Sequence, residues 1–136
     1  MKMNDAEVPL VLSQLGIPPD EGAAVGDLRA GAERMLAEFP TLMMIAITRG
    51  GCGSLLVTRD EWHGHDGFPI KVADTIGAGD AFTAAMAHYL LRGAELPVLN
   101  EAGNRWGSWV ASRSGAMPML TEATRAEIDA AIEQSA

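Results

Sequence analysis

The chain has 136 residues, enough for one compact domain with a sizeable core and no need of a disulfide staple on grounds of size. An apolar fraction of 48% and a charged fraction of 21% argue against a disordered segment, and a net charge of −8 with no basic run disfavours a binder of the nucleic-acid backbone. No apolar run approaches the length of a membrane span and the first residues lack the pattern of a secretory leader, so no membrane partner is expected and the cytoplasm is the default compartment.

In chain order, "MKMN" is apolar at alternate positions, like the tail of a strand. The segment "DAEVPLVLSQLG" then suggests a short helix on Val8, Leu10, Val11, Leu12 and Leu15, with Gly16 as its stop. A turn-rich connector at 17–26 leads to a helix at 27–39, with Asp27 as N-cap and Leu28, Ala32, Met35, Leu36 and Phe39 on one face. Pro40 ends it. The six apolar residues at 42–47 within "TLMMIAIT" suit a strand covered on both faces, as in a parallel sheet. "RGGCG" breaks this strand, "SLLVTRD" reads as another, and "EWHGHDG" as a turn or a polar edge strand. Three helical segments follow. The first, 80–92, carries Phe82, Met86 and Tyr89/Leu90, with Gly93 past its end. The second, 96–112, starts at Pro97 with Leu96, Leu99, Gly103, Trp106 and Val110 on one stripe. The third begins near "TEATRAEI", where Thr124 and Glu127 have capping-box spacing. The alternation of helices and strands indicates an α/β fold in a single domain spanning 1–136.

The stretch "DTIGAGDAF" carries the chemistry. Gly77 and Gly79 strip side chains from a turn that opens a helix, where unpartnered N–H groups and the helix dipole favour an anion such as phosphate. Asp80 at the same place could be a general base for an attacking hydroxyl, or it could simply cap the helix; spacing leaves both readings open. No Walker A motif and no G-x-G-x-x-G accounts for the turn.

"DTIGAGD" resembles the C-terminal signature D-T-x-G-A-G-D of the PfkB or ribokinase-like carbohydrate kinases. "NDAE" at 4–7 resembles their N-x-x-E motif, "TRGGCG" at 48–53 their nucleotide-loop T-x-G-x-x-G, and "SRSGAMP" at 112–118 the segment near their monovalent-cation site. The resemblance implies the C-terminal half of a three-layer α/β/α fold, with a mostly parallel sheet and a hairpin, and with the N-terminal sugar-binding half and lid absent. It further implies that Asp80 takes the proton of a sugar hydroxyl while Gly77, Ala78 and Gly79 form the anion hole. Asn4 and Glu7 would act on the Mg2+ and phosphate side through water, Thr48, Gly50 and Gly53 would border the ATP phosphates, and Asn104 would lie beside the adenine or ribose. Backbone carbonyls of Asp74, Ile76, Val110, Arg113 and Gly115 would surround K+ or a similar ion, although Met119 stands where many members carry a small polar residue able to complete that shell.

The implied activity is transfer of the γ-phosphate of ATP to a sugar or sugar acid, fructokinase-like in kind. Alternatives are a non-catalytic nucleotide-binding or interaction fragment, which uses an exposed sheet edge to pair with a copy of itself or with the missing half, and a hydrolase that passes phosphate to water. Other residues have plainer readings. Asn4 and Glu7 could form a capping box. Trp106 and Trp109 fit core or partner contacts, Cys52 packing or turn chemistry, His63 and His65 an exposed polar turn, His88 a helix surface, and Arg49 a solvated position.

Overall fold

The alternation at the start of the chain becomes a strand: Lys2–Asn4 (β1) pairs in parallel with Ile45–Thr48 (β2). A turn at Gly50–Cys52 returns the chain as Ser54–Val57 (β3), antiparallel to β2, and Trp62–His65 (β4) lies antiparallel to β3. The computed structural model describes residues 1–18 and 27–135, and most of the connector read at 17–26 lies outside them. The described sheet has the order β1-β2-β3-β4, with one parallel and two antiparallel pairings. The expected mostly parallel sheet is thus corrected for this stretch, because the connections after β2 and β3 are too short for a crossover and allow only hairpins. Among the described residues β1 pairs only with β2.

Side-chain alternation decides what covers each face of this sheet. Ile45, Ile47 and Val57 point to one side, where they pack with Met3, with Val8 of helix Glu7–Gln14 (α1), and with Ala32, Met35 and Leu36 of helix Leu28–Glu38 (α2). Ala46 and Leu56 point to the other, against Phe82 and Met86 of helix Ala78–Leu90 (α3) and Leu96 and Leu99 of helix Leu96–Ala111 (α4). The result is a layer of helices on each side of the sheet. Helix Glu122–Gln134 (α5) adds Ile132 to a third cluster with Ala85 and Ala102. Ile45, Ile47 and Leu56 are fully buried, and each contributes about 1.5–3 kcal/mol by leaving water.

Gly103 lets α3 and α4 approach closely, because a side chain there would begin 2.6 Å from the ring of Phe82. This explains why a glycine occupies the apolar stripe of α4, whose Leu96, Leu99 and Val110 are buried as read.

Several boundaries shift for local reasons. The strand expected on the apolar run 42–47 begins only at Ile45, because Arg59 draws the preceding backbone into a connection, donating to the carbonyls of Leu36, Phe39 and Leu42 at 2.6, 2.9 and 3.0 Å. Asp27 caps α2 as read, accepting from the amides of Arg29 and Ala30, but Phe39 lies just past the helix end and is exposed. Leu10, Leu15 and Leu90 are exposed as well, so the buried faces of α1 and α3 are narrower than their apolar spacing suggested. Helix α3 starts at Ala78 rather than Asp80. The cap of α5 is Thr121, whose hydroxyl accepts from the Thr124 amide, so the box read at Thr124 and Glu127 falls inside the helix.

Candidate active site

The motif residues converge where the C-terminal end of β1 and the hairpin loop after β2 face the start of α3. Gly77 is the N-cap of α3, with φ +81°, and a side chain on it would begin 2.6 Å from the Ala116 carbonyl oxygen. Both facts demand glycine there. Asp80 is the third residue of the helix and is exposed, so the capping position belongs to Gly77 and not to Asp80. Of the amides assigned to the anion hole, that of Ala78 makes a long bond of 3.3 Å to the Thr75 carbonyl.

Asp74 anchors the turn. Its two carboxylate oxygens accept from the amides of Ile76, at 2.9 Å, and Gly115, at 3.2 Å, which draws together the two backbone segments read as a cation site. The Val110 carbonyl accepts from the amide of Arg113 at 3.0 Å, at the end of α4. Met119 is almost fully exposed.

Beside the turn lies a cavity of about 310 Å³. Asn4 and Thr48 line it from the strands, Gly50 and Gly53 from the hairpin loop, Ala78 and Gly79 from α3, and Asn104 from α4. Glu7, Gly77 and Asp80 fall outside this lining, and the residues of the cation reading are not part of it either. Asn4 and Glu7 bond reciprocally just ahead of α1, with the pairing of a capping box although Ala6 is the N-cap: the Glu7 amide donates to Asn4 Oδ1 at 2.9 Å and the Asn4 amide to Glu7 Oε2 at 2.7 Å. The Thr48 hydroxyl donates to the Met3 carbonyl at 3.4 Å.

Asn104 is 6% exposed, and its amide nitrogen donates to Ser54 Oγ and to the Asn100 carbonyl, both at 2.7 Å. A ligand contact at Asn104 would therefore fall to its side-chain oxygen. Ser54 also donates to Asn100 Oδ1, and Asn100 Nδ2 donates to the His63 carbonyl at 2.9 Å. Ser54 and Asn100 are both fully buried, and this cluster fixes the cavity wall.

Five other readings change or hold. His63 and His65 share one face of β4 and turn toward α4, where His65 Nε2 lies 2.8 Å from Glu101 Oε2 and His63 Nδ1 lies 3.1 Å from Asn100 Nδ2. The exposed polar turn read there is corrected accordingly. Arg49 is engaged, not solvated, since its guanidinium donates to the His65 carbonyl at 3.1 Å. Trp106 and Trp109 meet edge to face at 5.9 Å, in keeping with packing roles. Cys52 is exposed in its turn and His88 on its helix.

Lys2 is the residue that sequence reasoning missed. It lines the cavity, and its ammonium nitrogen lies 3.1 Å from where a side chain on Gly79 would begin, so a positive charge stands over the start of α3. The signal was available: Lys2 and Asn4 are two apart on a strand and so share a face.

No group of three or more His, Cys, Asp or Glu residues among the described ones is disposed to hold a metal by itself. No helix among the described residues is long and apolar enough to cross a membrane.

The same fold occurs in known proteins. The family described as pfkB family carbohydrate kinase matches residues 1–123. A ribokinase of Dictyostelium discoideum is 34% identical over 70 residues, which are 49% of this chain and 22% of that protein. The bifunctional protein HldE of Caulobacter vibrioides is 37% identical over 101 residues, 74% of this chain and 20% of that one. Phosphofructokinase-2 of Escherichia coli, solved in complex with potassium, superposes with a TM-score of 0.78 at 22% identity, covering 97% of this chain and 40% of its own. The chain thus spans about a fifth of these two curated relatives and two fifths of the solved structure. It belongs to the pfkB family of carbohydrate kinases.

Proposed function

We propose that the protein carries the nucleotide-binding and catalytic part of an ATP-dependent carbohydrate kinase, which transfers the γ-phosphate to a hydroxyl of a sugar or sugar acid. The observation that carries this reading is the cavity itself, in which Asn4, Thr48, Gly50, Gly79 and Asn104 meet at a glycine-capped helix start under the charge of Lys2. The N–H groups in the first turn of α3 and the ammonium of Lys2 favour a phosphate there, and hold the charge that develops on the transferring group. Asp80, on the first turn and free of a capping task, accepts the proton of the attacking hydroxyl. Magnesium bound with ATP would neutralise phosphate charge, with Asn4 and Glu7 reaching it through water. Asp74 holds the turn against the 113–115 segment, where a potassium-like ion would sit among backbone carbonyls.

The sugar is fructose-like or a related sugar acid. Sugar-dependent release of ADP by the purified protein tests the reading, with ribose, fructose and a sugar acid as acceptors. Release that requires one of them supports a kinase, and release without any acceptor would instead mark a hydrolase. A second reading is a nucleotide-binding or pairing fragment, and nucleotide binding without turnover would select it.

A further inference from the structure

The hairpin loop that borders the cavity does not stand alone. Gly53 and Gly67 cross with their backbones in contact: a side chain on Gly53 would begin 1.9 Å from the His65 carbonyl oxygen and 2.4 Å from the Gly67 nitrogen. Gly67 and Phe68 both line the cavity next to Gly50, Gly51 and Gly53. The position of this wall is therefore set by whatever fixes the backbone after β4.

His65 fixes it. The Gly67 amide donates to His65 Nδ1 at 2.8 Å, so Nδ1 carries no proton and the ring's N–H is at Nε2, which donates to Glu101 Oε2 at 2.8 Å. Glu101 in turn accepts from Arg105 one helical turn on. Arg105 lies over the ring of Phe68 at 4.8 Å, and His65 meets the same ring at 5.1 Å. The His65 and Glu101 side chains are only 14% and 13% exposed, which protects these bonds from competition with water.

We infer that His65 is a positioning residue for nucleotide binding, one whose Nδ1 holds the Gly67–Phe68 wall of the cavity in place by accepting from the Gly67 amide. The inference rests on the nucleotide reading of that cavity. The two bonds can be separated. His65→Asn places an amide oxygen near the position of Nδ1 and keeps an acceptor for Gly67, whereas His65→Gln reaches the position of Nε2, keeping the link to Glu101 and losing that acceptor.

The test measures MgATP binding by calorimetry on the wild-type protein and both variants, together with hydrogen exchange of the Gly67 amide without nucleotide. The inference expects His65→Asn to bind like wild type, and His65→Gln to bind about fivefold to tenfold more weakly, the scale of one hydrogen bond. Gly67 should exchange faster in His65→Gln alone. A merely structural role would lower the stability of both variants without this ordering. If wild type binds and the two variants bind equally, or His65→Asn is the weaker, the inference is overturned and the nucleotide reading stands. If wild type is folded, with its Gly67 amide protected, and does not bind, the nucleotide reading fails and takes the inference with it.

Discussion

The turn at 74–80 and the polar cluster beneath α4 border the same cavity, yet they are built in opposite ways. The turn is local and open: Asp74 bonds the amide two residues on, Gly77 supplies the left-handed cap, and Ile76 and Asp80 face solvent. The cluster is buried and long-range, with Ser54 and Asn100 joined across 46 residues of sequence and His63 tied to Asn100 across 37. The groups that would meet substrate are exposed and cost the fold little, while those that hold them in place are desolvated and must all be paired. Substitutions in the first region should therefore change chemistry more than stability, and substitutions in the second the reverse.

The largest expected effect is at Asp80. Asp80→Ala should lower phosphoryl transfer by about 10²–10⁴-fold with thermal unfolding and MgATP binding preserved; unchanged turnover would remove Asp80 from the mechanism. Gly77→Val breaks the comparison at its weakest point, because this one position of the turn is also structurally demanding. With φ at +81° and the Ala116 oxygen in the way, it should cost about 3 kcal/mol and abolish MgATP binding, read by chemical denaturation and calorimetry.

Asn100→Ala should leave Ser54 and the His63 carbonyl short of a partner and destabilise the protein by about 2 kcal/mol. A melting temperature equal to wild type would show that the cluster is not the support described here. The smallest effect is expected for Lys2→Met, which keeps the strand and removes the charge over α3. It should weaken MgATP binding about fivefold, and the difference should shrink in high salt.

The turn was legible because its information lies in adjacent residues: two glycines and two carboxylates within seven positions state both the geometry and the chemistry. The layered α/β arrangement was legible too, since the buried run ending at Ile47 and the stripe of α4 each declare a covered face. Asn100 was not, because a lone polar residue among apolar ones reveals its purpose only when Ser54, 46 residues away, is seen to pair with it. His65 was read as exposed for the same reason, its partners being Glu101 and the backbone of Gly67. The sheet direction depended on how short the connections are, and the start of α5 on which of two threonines, Thr121 or Thr124, turns its hydroxyl back to the helix.

The most direct test of the account is MgATP binding to the purified protein by calorimetry, with Asp80→Ala and Gly77→Val measured in the same buffer. The account predicts saturable binding that survives in Asp80→Ala and disappears in Gly77→Val. A folded wild-type protein that binds no MgATP, or a Gly77→Val variant that binds as well as wild type, would contradict it.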